Sequence, residues 1–201
     1  MFTDEKIFTS NGYFNPKNDV IWADSRSDAN ESEGIIELKK YPISVMVAIG
    51  ATWEGLTKPF FFVNGERLNS ESYCNVLDFY KSEGDRLFKN SDWTFQQDGA
   101  SSHTSLKAQE KCIEKFESFI PKERWPPNSP ELNPLDYSIW AKISSNIDYK
   151  KVTSIKTLIN LVRKSVKQID IVYLQEVIGS FLKRVYSVEK NNRKLIFEKH
   201  S

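Results

Sequence analysis

Two cysteines and two histidines are all the thiolate and imidazole ligands that this 201-residue chain offers a zinc ion. Cys74 and Cys112 lie in unrelated segments, no C-x-x-C pair occurs, and the histidines are His103 and His200. A structural zinc site of four N/S ligands is therefore excluded, and two isolated thiols fit a reducing compartment. Long apolar runs are lacking too. No stretch approaches the ~18 residues that a membrane-spanning helix needs, and no charged-then-apolar leader opens the chain. The expectation is a soluble protein with no membrane partner. Repeats and low-complexity linkers are also missing, which leaves one domain, residues 1–201, long enough to bury a real core.

What the chain does have is aromatic: 13 Phe, 8 Tyr and 5 Trp, an enrichment that argues against disorder. Its 39% hydrophobic and 27% charged content is ordinary for a globular domain. The net charge of +1 hides an asymmetry. Residues 1–100 hold 10 basic against 16 acidic side chains, and residues 101–201 hold 18 against 11. A basic face toward the C-terminal end could track phosphates, although lysine-rich helices often have nothing more than a solvated side.

Along the chain, residues 1–14 read as a strand closed by an Asn11-Gly12 turn, and Val20–Ala23 as a second, short strand. Asp24–Glu37 is acidic and aperiodic, hence a loop. The β-branched run Ile43–Ile49 suits a strand buried on both faces. Thr52–Gly55 turns, and Lys58–Val63 is a further strand. The period then changes. Tyr73, Val76, Leu77 and Tyr80 predict a helix over 70–88, with Ser70 as candidate cap. Trp93–Gln97 reads as a strand and Ser105–Phe116 as a helix with Leu106, Ile113 and Phe116 inward. Ser118–Ile120 reads as a brief strand and Pro134–Ile147 as a helix with Pro134 in its first turn. Amphipathic helices over 153–169 and 171–188 end the pattern, the latter capped by Asp170. Strands first, then helices around two more strands, predict an α/β fold with a mixed sheet.

Three aspartates stand in distinctive settings. Asp98 ends a predicted strand, where open α/β sheets form ligand sites. Asp-Gly is a common turn, but Ser101-Ser102-His103-Thr104 adds polar groups at a helix start that favours anions. Asp136 alone would be a first-turn acid complementing a helix dipole, worth ~0.3–1 kcal/mol. Yet Pro126, Pro127, Pro130 and Pro134 make a stiff path ahead of it that would hold one carboxylate in place. Asp4 would be unremarked near a terminus, except that its strand would lie beside the one ending at Asp98; Glu5 should face the opposite side. Three carboxylates are the minimum for two magnesium ions about 3.5–4 Å apart over a phosphodiester. His103 and Asn133 are candidates for support or substrate contact. Imidazole is a poor magnesium ligand, and a structural hydrogen-bonding role for His103 carries equal weight.

These blocks, Gln97-Asp98-Gly99…His103 and Ser129-Pro130-x-Leu132-Asn133-Pro134-x-Asp136, resemble the catalytic domain of mariner-type DDE/D transposases. The resemblance runs over roughly residues 2–190 and includes Tyr41–Val47, Gly55-Leu56-Thr57 and Tyr73. It implies an RNase H-like mixed sheet flanked by helices, with a C-terminal helical segment. It implies Asp4, Asp98 and Asp136 as the catalytic and metal-binding triad, with two Mg2+ ions or Mn2+ in their place. The implied activity is cut-and-paste DNA cleavage and strand transfer on transposon ends and target DNA, by a homodimer in the nucleus.

Four departures qualify the expectation. The 37 residues between Asp98 and Asp136 exceed the spacing typical of mariner proper, which points to a sister branch ending in Asp. The paired helix-turn-helix modules that read transposon ends do not precede this domain, so autonomous transposition is not expected. The first strand begins at Met1, which predicts a weaker strand and a mobile Asp4. The family's partner-contacting loop corresponds here to a segment carrying Asp24, Asp28, Glu31 and Glu33, which would repel DNA unless it met a basic partner surface. The enzymatic reading therefore stands beside an alternative, a repurposed remnant serving as a DNA- or protein-interaction module.

Overall fold

The computed structural model describes residues 1–12, 40–62, 68–89 and 91–190. β1 (Phe2–Thr9) pairs antiparallel with β2 (Ser44–Thr52) along its whole length, from Phe2 opposite Ala51 to Thr9 opposite Ser44. β3 (Gly55–Leu56) and β4 (Phe60–Phe62) return antiparallel onto β2. The expected Thr52–Gly55 turn is thus the tip of a hairpin whose second arm begins at Gly55 itself. Gly12 takes φ +72°, as the Asn11-Gly12 turn requires. The predicted strand Val20–Ala23, the acidic loop Asp24–Glu37, and Tyr13, Phe14 and Val63 lie outside the described residues.

On the other side of β1 the sheet turns parallel. Phe2 bridges Gln96, and Phe95 bridges Phe119, each as a single rung rather than a full strand. Side chains replace the missing rungs: the Thr3 hydroxyl donates to Gln96 O at 2.7 Å, and Thr3 N–H reaches Gln96 Oε1 at 3.4 Å. The sheet is mixed, as read from the sequence.

Alternation along β2 sorts the core into two layers. Val45, Val47, Ile49 and Ala51 pack with the C-terminal helices, while Ala48 belongs to a second cluster with Phe62, Tyr73, Val76, Leu77 and Tyr80. The second layer is built by α1 (Ser70–Phe88) and α2 (Leu106–Lys115). α1 buries the predicted stripe, but its cap is Asn69, not Ser70. Asn69 Oδ1 accepts from Glu71 and Ser72 N–H while Ser72 Oγ accepts from Asn69 N–H, a reciprocal capping box. α2 corrects the sequence reading more deeply. Leu106 and Ile113 are exposed, and the inward stripe is Ala108 and Cys112, followed by Phe116. Small side chains at 108 and 112 let α2 lie close over Gln97, where a leucine-faced helix would stand off.

The opposite layer holds α3 (Trp140–Ser145), α4 (Ile155–Lys167), α5 (Ile171–Gly179) and α6 (Phe181–Lys190). Two expected helices are interrupted. Ahead of α3, Leu135–Ile139 forms a π-helical turn, a widening often found at functional positions. The predicted helix over 171–188 breaks at Ser180. There the Ser180 hydroxyl donates to Val177 O at 2.8 Å, and the Tyr137 hydroxyl donates to the same carbonyl at 2.7 Å. Asp170 caps α5 as expected, accepting from Val172 and Tyr173 N–H. No helix among the described residues is long and apolar enough to cross a membrane.

Candidate active site

Asp4 and Glu5 are successive residues in the middle of β1, so their side chains leave the sheet on opposite faces. Asp4 faces the α3 layer, where Trp140 Nε1–H donates to its Oδ2 at 2.5 Å. Glu5 faces the α1 layer and accepts from the Tyr80 hydroxyl at 3.2 Å. The proline block reaches the same place through Asn133. This residue is buried; its amide donates to Thr3 O at 3.0 Å, and its Oδ1 accepts from Leu135 N–H at 3.1 Å. Asn133 thereby ties the turn carrying Asp136 to the strand carrying Asp4.

Asp98 follows the extended segment beside β1. Its Oδ1 accepts from Ala100 N–H at 3.0 Å and meets His103 Nδ1 at 2.6 Å. His103 is buried and stacks on Tyr73 with ring centroids 3.9 Å apart. Its Nε2 lies 3.2 Å from Glu5 Oε2, at ion-pair distance but without hydrogen-bond alignment. Tyr73 in turn donates to Gln97 Oε1 at 2.6 Å. His103 thus sits in a cage of aromatic and carboxylate groups.

Asp4, Asp98 and Asp136 all line one cleft of about 380 Å³, walled on one side by Trp125–Pro130. All three predicted acids are brought to this cleft, and Asn133 lines it as well. His103 stands behind Asp98. Among the described residues no three His, Cys, Asp or Glu side chains are gathered into a metal-binding cluster.

Burial is the main force holding the carboxyls of Asp4 and Asp136 above the ordinary carboxylate range. Charge repulsion adds to it, from Asp136 and Glu5 on Asp4, and from Asp98 and Glu5 on Asp136, where Lys6 partly offsets it. For His103 burial opposes the charged form, but the Asp98 and Glu5 carboxylates outweigh it and raise the imidazole to about 9. Burial likewise opposes the charge on Asp98, and hydrogen bonds from His103 and Ala100 overcome it, leaving Asp98 lowered. An all-oxygen donor set with two carboxyls that burial and mutual repulsion keep from ionising fits a hard divalent cation.

The sequence offered no sign of the roles of Glu5, Tyr73, Gln97 and Trp140. Trp140 lies one helical turn beyond Asp136, and Glu5 lies one step along β1 from Asp4. Neither spacing names a partner across the fold.

Comparison with known proteins follows this geometry. The Tc3 transposase of Caenorhabditis elegans is 28% identical over 161 residues, which is 78% of this chain and 46% of that protein. A chain of the Mos1 transposase paired-end complex with the left transposon end matches at a TM-score of 0.76 and 17% identity, covering 97% of this chain and 55% of its own. The catalytic domain of Mos1 mariner transposase matches at a TM-score of 0.65 and 16% identity, over 77% of each chain. The fold is that of a mariner transposase catalytic domain. No family model matches the chain. The chain spans about half the length of the curated relative it matches. The RNase H-like sheet flanked by helices, expected from the sequence, is the observed fold.

Proposed function

We propose that this chain is the catalytic domain of a DNA transposase, cleaving and joining phosphodiester bonds at the cleft lined by Asp4, Asp98 and Asp136. The observation that carries this reading is the meeting of three acids from three separate sequence blocks in that one cleft. Sequence relationship to the Tc3 transposase supports it, as does likeness to Mos1 structures, among them one with Mg and one with Mn.

Asp4, Asp98 and Asp136 would hold magnesium, or manganese in its place. Bound there, the ions supply Lewis-acid activation of the attacking hydroxyl and neutralise charge at the leaving oxygen. The chain's own side chains prepare the site. Trp140 orients the Asp4 carboxylate, Asn133 keeps the Asp136 turn against β1, and His103 holds Asp98 ionised. The Trp125–Pro130 wall gives the cleft a stiff rim against which a DNA strand would lie. Such a site needs no covalent protein intermediate: water attacks first, and a freed 3′-hydroxyl attacks target DNA second. DNA is therefore the partner, transposon ends and target alike. A homodimer in the nucleus is the natural setting for joining two ends.

The test is cleavage of supercoiled plasmid with Mg2+ or Mn2+ by the chain and by Asp98→Asn. The proposal expects metal-dependent nicking that the variant lacks. Equal activity in both, or Mn2+ binding that Asp98→Asn leaves unchanged in calorimetry, overturns it. DNA binding that needs no metal, with no nicking by either protein, would instead establish the interaction-module alternative.

A further inference from the structure

We infer that Glu5 is a positioning residue for Asp98, acting through His103; the inference rests on the proposed role of Asp98 in the cleft. The Glu5 side chain is 7% exposed. A carboxylate so placed is costly unless its oxygens are matched. Two groups meet it: the Tyr80 hydroxyl donates to Oε1, and His103 Nε2 lies at ion-pair distance from Oε2, 3.2 Å away. Tyr80 is itself fully buried, and its single O–H is shared between Oε1 and Ile49 O, 3.3 Å away, which anchors the far end of the series to β2. The series runs Tyr80, Glu5, His103, Asp98, from the core of the α1 layer out to the cleft.

Each link sets the next. Stacking on Tyr73 fixes the plane of the His103 ring, and carboxylates at its two nitrogens fix the ring's direction within that plane. With Glu5 at one edge, Nδ1 is aimed at Asp98 Oδ1. Both hydrogen bonds to Asp98 fall on that same oxygen, from His103 and from Ala100 N–H. The 43%-exposed side chain therefore presents Oδ2 to the cleft. Ligand carboxylates depend on such outer partners, whose loss typically costs about 10–100-fold in metal affinity or activity. The placement also couples two acids through one strand. β1 delivers Asp4 to the cleft directly and delivers Glu5 to the group that aims Asp98. A single register of β1 thus serves both carboxylates.

The experiment is calorimetric Mn2+ titration of the full chain, wild type against Glu5→Gln, Asp98→Asn and the double variant, with circular dichroism to confirm folding. The expected result is a loss of about 10-fold in affinity for Glu5→Gln and a larger loss for Asp98→Asn. The double variant should be no weaker than Asp98→Asn alone, because Glu5 acts only through that carboxylate. An effect of Glu5→Gln that adds in full to that of Asp98→Asn overturns the inference. So does wild-type affinity in Glu5→Gln while Asp98→Asn is impaired, and that result leaves the proposed function standing. An Asp98→Asn protein that binds Mn2+ like wild type overturns both. If Glu5→Gln does not fold, Tyr80→Phe removes the anchoring hydroxyl and keeps the ring. It should weaken Mn2+ binding in the same direction, and unchanged affinity there overturns the inference.

Discussion

Asp4 sits on the α3 face of β1 among other acids, and its ionised form is disfavoured there by burial and by Asp136 and Glu5. This decides how the protein should respond to pH without divalent cations. Asp4 takes its proton more readily folded than unfolded, where its value is 3.8. Its charge therefore begins to destabilise the fold above pH 3.8, and increasingly so until the folded value is passed. His103 acts in the same sense. Raised from 6.5 to about 9, it stabilises fully below 6.5 and loses that contribution as pH rises through about 9. Thermal melts in chelator should fall on the alkaline side. Asp4→Asn, which can still accept from Trp140, should melt higher than wild type at neutral pH by about 1 kcal/mol or more while losing Mn2+ binding. A variant less stable than wild type at pH 8 would show that burial and repulsion do not penalise the Asp4 charge.

Among elements, α1 shows how closely helix and strand approach behind the site. A Cβ built on Gly84 would lie 2.3 Å from Trp93 Cζ2, in the segment that leads to Asp98. Trp93 is held there by stacking on Phe88, with centroids 5.6 Å apart, and by a hydrogen bond to Asp85 at 3.3 Å. Gly84→Ala should therefore cost about 1–3 kcal/mol, read as a lower urea midpoint with an unchanged slope. α1 itself was plain in the sequence, since Tyr73, Val76, Leu77 and Tyr80 keep helical period. The inward face of α2 was not. Leu106 and Ile113 look like core residues by type, yet closeness to α1 and Gln97 selects Ala108 and Cys112. The break at Ser180 was equally hidden, because it depends on Tyr137 reaching Val177 O from a different element.

Across the whole molecule, the cleft exists because three remote segments are fastened to one strand. Thr3 binds Gln96 through its side chain, Asn133 binds Thr3 O, and Trp140 binds Asp4. Asn133 makes its link to Thr3 across 130 residues of sequence. Asn133→Ala strands the Thr3 carbonyl in a buried place and should cost about 1–3 kcal/mol in denaturant unfolding. It should also reduce metal-dependent nicking more than a mutation of equal destabilisation placed elsewhere, such as Gly84→Ala. Equal nicking by these two variants would mean that Asn133 supports the fold alone.

The sequence by itself determined β1, β2, β4 and α1, the mixed α/β class and, through its motif blocks, the three acids that meet in the cleft. Those are properties of local period, turn chemistry and motif spacing, and each is written within a few consecutive residues. Only the tertiary structure decided what faces each acid. Alternation on β1 separates Asp4 from Glu5, but it cannot say that Trp140 covers one and that Tyr80 and His103 receive the other. Those partners come from distant segments whose approach is set by packing on both faces of the sheet. The assignment of Glu5 to Asp98, through His103, therefore had to wait for the fold.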